Sequence, residues 1–235
     1  YVSSSEVFTK TTLRKSFGYS GDVLEIGMPR NDMLLQNDVN KYKSIKRSLG
    51  IYGKNIVIIA PTFRNKTDFR LESFDFDKFT KALQDKFGGE WVILYRSHYY
   101  ESPKSNLNKA KIIDVSTYHD MQDLLYISDV LVTDFSSSMW DFSLMKRPIF
   151  LFSSELEDYQ ELERGFYTPP DSWPFPLATN CQDFIKNVEA FDEKMYIDKL
   201  NKNHAEFVSI ENGEATKSIT NLIFDEININ NYKMK

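Results

Sequence analysis

One cysteine, Cys181, stands in a chain of 235 residues. No disulfide can therefore close within the chain, and no cysteine-rich zinc cluster can be built. The thiol reads as a small, partly buried core residue, and scarce cysteine points to a reducing, cytosolic address. Long apolar runs are also missing. The longest, Ile56–Ala60, falls far short of the roughly 20 residues needed to cross a bilayer. There is no basic excess: 29 Lys+Arg face 34 Asp+Glu, for a net charge of -5. That argues against a general nucleic-acid binder, while leaving room for a local basic pocket. Neither a Walker-type Gly-Lys-Ser/Thr loop nor a Gly-x-Gly-x-x-Gly occurs, so P-loop and dinucleotide readings fall away. No signal peptide and no initiator Met open the chain. Tyr1-Val2-Ser3 reads as the interior of something longer, and a fragment or excised domain is expected.

What is present is a core. Hydrophobic residues make up 41% and aromatics 14%, with 18 Phe and 13 Tyr, too apolar for a disordered chain. Strands are expected at Val23–Ile26, Asn55–Ala60, Trp91–Tyr95, Lys111–Val115, Val130–Thr133 and Pro148–Phe152. Helical periods separate them. Phe76, Phe79, Leu83 and Phe87 share one face before Gly88-Gly89 stops the helix. Met121, Leu124 and Leu125 mark a shorter helix, Met139–Met145 another, and Ile219, Leu222 and Ile223 the last. Ser3–Phe17 and Lys41–Leu49 also read as helices. Strands that are continuously apolar are buried on both faces, as in a parallel sheet covered by helices. The expected fold class is α/β, a Rossmann-like doubly wound parallel sheet, from about residue 50 to 225.

In such a sheet ligands sit at the carboxyl ends of the strands. Those ends carry Pro61-Thr62-Phe63-Arg64, Arg96-Ser97-His98, and Asp134-Phe135-Ser136-Ser137-Ser138. Further on come Ser153-Ser154 and Arg164-Gly165-Phe166-Tyr167. The serine cluster precedes a helix, whose first turn offers unpaired N–H groups and a positive dipole end, a good phosphate seat. The plainer reading is that one serine caps the helix and the others are solvated. Arg96 and His98 project from the same side of an extended segment, where one forks onto a phosphate and the other donates to it. Taken alone, His98 reads more readily as a satisfied structural histidine, a reading that its place after a central strand weakens. Asp134 has two readings, a ligand for a divalent ion and an organiser of the serine turn, of which the second is favoured. Asp141 reads as a helix-face carboxylate, His119 as the start of a helix and His204 as a solvated helix face, so no metal site is expected.

In this order, these segments resemble the CDP-glycerol:poly(glycerophosphate) glycerophosphotransferase family, which includes teichoic acid and capsule polymerases. The resemblance rests on Gly27–Asp32 (GMPRND), Ala60–Arg64 (APTFR), Arg96-Ser97-His98, Asp129–Ser138 (DVLVTDFSSS), Asp141-Phe142 and Arg147-Pro148-Ile149. Asp158-Tyr159, Arg164–Tyr167 (RGFY) and Asn212–Thr216 (NGEAT) complete it, and it covers roughly residues 3 to 225. It implies the C-terminal, donor-binding domain of a GT-B fold. Residues 1–30 would be the tail of the N-terminal domain and the joint, 31–225 the donor-nucleotide domain, and 226–235 a polar C-terminal tail. The implied reaction moves glycerol phosphate or ribitol phosphate from a CDP-alditol to a polymer hydroxyl and releases CMP. His98 would be catalytic. Arg96, Ser136, Ser137, Ser138 and Arg64 would hold the donor pyrophosphate, supported by Asp134, Arg164, Pro61 and Thr62.

The resemblance further implies a lipid-linked polymer acceptor and peripheral contact with the inner face of the cell membrane. It implies an absent N-terminal domain that supplies the base. No prosthetic group, metal ligand or nucleic-acid partner is expected, and a requirement for a divalent cation stays open. Where many members have Pro after the Arg-x-His motif, this chain has Tyr99-Tyr100. Where many run through acidic residues to Pro-Gly-Pro, it has Thr168–Pro174 (TPPDSWP). Two other readings stand beside this one: a nucleotide-sugar GT-B glycosyltransferase or epimerase, and a non-catalytic nucleotide-binding domain.

Overall fold

The computed structural model describes residues 1–62, 74–97, 112–153, 166 and 168–233. The chain forms two compact units. One is Val39–Leu200, and the other combines Tyr1–Asp38 with Asn201–Lys235.

In the interrupted unit, β1 (Val2–Ser3) pairs in parallel with β2 (Leu24–Glu25). The single helix expected over Ser3–Phe17 is broken. Ser3 belongs to the strand, Ser5 caps the one-turn α1 (Glu6–Phe8), and Thr9–Ser16 widens into a π-helix. Hydroxyls account for this. Thr11 Oγ1 donates to the Val7 carbonyl at 2.7 Å and Ser16 Oγ to the Thr11 carbonyl at 3.0 Å. Such back-bonding competes with the regular ladder. A 3₁₀ turn, Pro29–Asn31, then leads into α2 (Asp32–Leu35).

Two carboxylates tie this stretch to residues far down the chain. Glu211 accepts from the Met28 N–H at 3.1 Å and from Asn31 Nδ2 at 2.9 Å. Gly27 (φ +87) packs so closely against Glu211 that a Cβ there would lie 2.8 Å from Oε2. Asp32, 5% exposed, accepts from the Ala215 N–H at 3.0 Å and the Thr216 N–H at 2.7 Å. It thereby neutralises the first-turn donors of the C-terminal helix, Ala215–Lys233. These bonds group residues 28–35 with 211–216. They explain why the compact units differ from the segments expected at 1–30, 31–225 and 226–235. The expected polar tail continues the C-terminal helix as far as Lys233.

The contiguous unit is a six-stranded sheet in the order β5-β4-β3-β6-β7-β8, with every pairing parallel. The strands are β3 (Asn55–Ile59), β4 (Trp91–Tyr95), β5 (Ile112–Asp114), β6 (Val130–Thr133), β7 (Ile149–Phe152) and β8 (Leu177–Ala178). Their apolar runs are buried as expected: every residue of β4, β6 and β7 is buried. Its helices are α3 (Val39–Ser48), α4 (Phe76–Phe87), α5 (Met121–Ile127), α6 (Ser138–Ser143), α7 (Cys181–Glu189) and, as far as Leu200, α8 (Glu193–Glu206). Asp75 caps α4 by accepting from the Lys78 N–H at 3.0 Å, and α4 ends at Gly88 (φ +73), where an L side chain would be strained. Helices α4 and α7 pack together over an aromatic cluster centred on Phe184. Its ring lies 5.3 Å from both Phe74 and Phe79, and 5.6 Å from Phe152.

The strand order decides where a site can form. From β3 the chain moves outward to β4 and β5, then returns to lay β6, β7 and β8 on the other side. The switch point therefore falls between β3 and β6, the place where doubly wound sheets bind ligands.

Candidate functional site at the carboxyl ends of the strands

At the switch point the loops after β3 and β6 are joined by one carboxylate. Asp134, 3% exposed, accepts from the Thr62 N–H at 2.9 Å and from Thr62 Oγ1 at 2.6 Å. Thr133 adds a parallel tie, its hydroxyl donating to the Ala60 carbonyl at 2.6 Å. Both oxygens of Asp134 are thus engaged by protein donors. The observed bonds are those of an organiser of the loops, and half-buried Pro61 lies in the tethered segment.

The serine turn is differentiated. Ser136 Oγ accepts from the Ser138 N–H at 3.3 Å and pairs with Ser138 Oγ at 2.9 Å, and Ser138 is buried. Ser137 occupies the cap position, is exposed, and makes no capping bond with its side chain. The Met139 and Trp140 N–H groups already donate to the Ser136 and Ser137 carbonyls, at 3.2 and 3.1 Å. The helix that follows has only six residues. The exposed residue of the turn is therefore Ser137, while the first-turn amides of α6 are already engaged.

Arg96 follows β4, one strand beyond β3 on the side away from β6. At a strand spacing of about 4.8 Å, the exits of β4 and β6 are roughly 10 Å apart across the mouth of β3. The Arg96 guanidinium is half-buried and donates to the Tyr118 carbonyl at 2.7 Å. Burial pulls its pKa down, and nearby Asp120 opposes that shift. Among the described residues, no hydrogen bond or ion pair joins Arg96 to the serine turn; the two share an edge of the sheet. His98, Arg64 and Arg164 lie outside the described residues.

Several features carried no sequence signal. Phe166, of the RGFY segment, packs on Phe135 of the serine motif with ring centroids 4.7 Å apart, so two separate motifs meet. Trp173 lies 5.4 Å from Phe166 and 5.7 Å from Trp140, and its Nε1 donates to Thr168 Oγ1 at 2.8 Å. The Thr168–Pro174 segment therefore supports the aromatic wall beside the serines. Arg147 plays a structural part. Its Nη1 donates to the Tyr126 and Ser128 carbonyls at 2.8 and 2.6 Å, closing the end of α5.

His119, Asp120 and Asp123 place possible ligand atoms within 4.8 Å of one another. Asp123 is already held from two sides, by Lys41 Nζ at 3.1 Å on Oδ1 and by the Tyr118 hydroxyl at 3.2 Å on Oδ2. A cavity of about 380 Å³ lies at the end of β8, where Phe175, Leu177 and Thr179 line it together with the carboxylates of Asp171 and Asp183. No Lys or Arg lines it among the described residues, and Asp183 is paired with Lys186 Nζ at 2.9 Å.

The family model for CDP-Glycerol:Poly(glycerophosphate) glycerophosphotransferase matches residues 1–225. The chain belongs to that family. It is 34% identical over 233 residues to a teichoic acid glycerol-phosphate transferase of Staphylococcus aureus (strain NCTC 8325 / PS 47), covering 95% of this chain and 60% of the relative. A teichoic acid ribitol-phosphate polymerase of the same strain is 28% identical over 187 residues, covering 74% of this chain and 32% of the relative. The structure of the wall teichoic acid polymerase TagF superposes with a TM-score of 0.82 at 33% identity, covering 97% of this chain and 58% of that one. The family members it matches are thus longer, and this chain spans about 60% of the glycerol-phosphate transferase.

Proposed function

We propose that this chain supplies the donor site of an alditol-phosphate transferase. The reaction moves glycerol phosphate, or ribitol phosphate, from a CDP-alditol to a hydroxyl of a teichoic-acid-like or capsular polymer. The observation that carries the reading is the switch point itself. In a chain of this family, the Thr62–Asp134 tie, the serine turn and Arg96 share the carboxyl edge of one parallel sheet. A donor diphosphate lying across the mouth of β3 meets Ser136 and Ser137 on one side and Arg96 on the other.

The chemistry is phosphoryl transfer. An oxygen of the acceptor hydroxyl attacks the phosphorus that bears the alditol. The bond from that phosphorus to the bridging oxygen breaks, CMP leaves with the electron pair, and the hydroxyl proton passes to a base. The barrier lies in charge on the transferred and leaving phosphates, which fixed donors and cations stabilise. Arg96 and the serine hydroxyls bind and orient the diphosphate. Ser138 acts through Ser136, and Pro61, Thr62 and Asp134 keep the turn in place. His98 protonates the leaving phosphate, a role worth about 10²–10⁴ in rate, and Arg64 and Arg164 add positive charge. The base belongs to a further domain, for which the greater length of the relatives leaves room. The reading requires no prosthetic group. No helix among the described residues is long and apolar enough to cross a membrane. With a lipid-linked acceptor, the enzyme works in the cytoplasm as a peripheral protein on the inner face of the cell membrane.

Calorimetry tests the assignment directly. CDP-glycerol or CDP-ribitol is expected to bind the chain at millimolar concentration or below, with UDP-sugars binding more weakly. If neither CMP nor any CDP-alditol binds, the donor site is wrongly assigned. In an enzyme that joins this chain to the further domain, His98→Ala lowers turnover severely and leaves the fold intact. Unchanged turnover removes His98 from the mechanism.

A further inference from the structure

The loop after β5 grips the segment that carries Arg96. Ser116 Oγ lies 2.6 Å from Asp114 Oδ1, 2.9 Å from the Ser97 backbone N and 2.9 Å from Ser97 Oγ. The polarity of this cluster is fixed by its ends. A carboxylate only accepts and a backbone N–H only donates. Ser116 therefore donates its one hydroxyl proton to Asp114, and its two lone pairs receive the Ser97 N–H and O–H. The Ser116 N–H donates to the same Asp114 oxygen at 2.9 Å, which fixes the side chain that orients the hydroxyl. Two residues further on, the Tyr118 carbonyl takes the Arg96 guanidinium at 2.7 Å. Ser97 is only 4% exposed, so solvent replaces poorly the acceptor it would lose.

We propose that Ser116 is a positioning residue for the donor site. Oriented by Asp114, it fixes the backbone at Ser97. Together with the Tyr118 carbonyl it sets the angle of Arg96, leaving the remaining guanidinium donors for an anionic group. Alanine removes the acceptor for both Ser97 donors. Threonine keeps an oxygen at the same place. The inference rests on the donor-site reading above, in which Arg96 meets the diphosphate.

The test is calorimetry on the chain with CDP-glycerol and with cytidine, which lacks phosphate. It compares wild type, Ser116→Ala, Ser116→Thr, Arg96→Ala and the Ser116→Ala/Arg96→Ala double variant, with circular dichroism as the check on folding. Ser116→Ala is expected to weaken CDP-glycerol about tenfold and cytidine less than about twofold, and Ser116→Thr to stay within about twofold of wild type. Because Ser116 acts through Arg96, the double variant binds CDP-glycerol no more weakly than Arg96→Ala alone. Equal losses for both ligands, full additivity with Arg96→Ala, or no loss in Ser116→Ala overturn the proposal. Should Ser116→Ala fail to fold, Ser97→Ala carries the same comparison at smaller amplitude, because it removes one bond into Ser116 and leaves Asp114 satisfied. A wild-type chain that binds no CDP-glycerol overturns the donor-site reading itself. Wild-type binding with an indifferent Ser116 overturns only this inference.

Discussion

Asp32 caps a helix that begins 183 residues later in the chain, at Ala215. Its two carboxylate oxygens take the Ala215 and Thr216 amides at 3.0 and 2.7 Å, so a side chain at the start of α2 starts a helix far along the chain. Replacing a capping carboxylate by alanine costs about 1–2 kcal/mol. Asp32→Ala should lose that much in urea unfolding, and hydrogen exchange at the Ala215 and Thr216 amides should accelerate. Unchanged exchange at both positions would show that the cap is not what holds the helix start.

The Thr62–Asp134 tie is a charge-assisted bond from a half-buried hydroxyl to a buried carboxylate. Hydrogen bonds to charged groups contribute about 1.5–3 kcal/mol. Thr62→Val, which keeps the shape and deletes the hydroxyl, should destabilise the chain within that range, while Thr62→Ser should recover most of it. A Thr62→Val protein with wild-type stability would mean that the backbone N–H bond at 2.9 Å suffices by itself.

Phe184 is fully buried and touches rings contributed by α4, β7 and the residue before Asp75. Truncating such a ring leaves a cavity that the surrounding aromatics cannot fill, at a cost of about 3–5 kcal/mol. Phe184→Ala is expected to lose that stability, and Phe184→Leu clearly less. Equal losses in the two variants would point to a specific ring geometry rather than to volume.

Stability should fall in alkaline solution. Burial pushes the Tyr196 phenol well above its ordinary value, and burial together with Asp123 does the same, less strongly, to Tyr118. Above the unfolded tyrosine pKa of about 10 the unfolded chain has released the proton and the folded one has not. Stability then drops with rising pH by up to about 1.4 kcal/mol per pH unit for a buried phenol. Below pH 10 both states keep the proton, and this contribution is fully present. Tyr196→Phe loses the bond to the Arg147 carbonyl at 2.8 Å, worth about 1 kcal/mol at neutral pH, and should flatten the alkaline slope. Urea titrations between pH 7 and 11 measure both effects; an unchanged slope would assign the alkaline loss to other groups.

The sheet was legible because its strands are buried on both faces. Trp91–Tyr95 and Val130–Thr133 lie where their apolar runs place them. β8, two residues between Pro176 and Thr179, is too short to show a period. The break in the first helix was hidden for another reason: hydroxyl back-bonding in Thr11 and Ser16 leaves the apolar spacing helical. Residue types after strands singled out Thr62, Arg96, Asp134 and the serines as candidates. What they do depends on partners distant in sequence. Ser116 is an ordinary loop serine until its distance to Ser97 is known. Nothing in the GMPRND and NGEAT segments announces that each is the other's partner; the structure shows it.

One unit of the fold is a single uninterrupted stretch, Val39–Leu200, and the other needs residues from before and after it. On the ribosome the sheet can therefore complete itself while Tyr1–Asp38 waits, its carboxylate at residue 32 still solvated. Only when Asn201–Lys235 has cleared the exit tunnel does the earlier segment gain its helix. Vectorial synthesis thus imposes an order on maturation: the sheet-bearing unit can assemble before the interrupted unit closes.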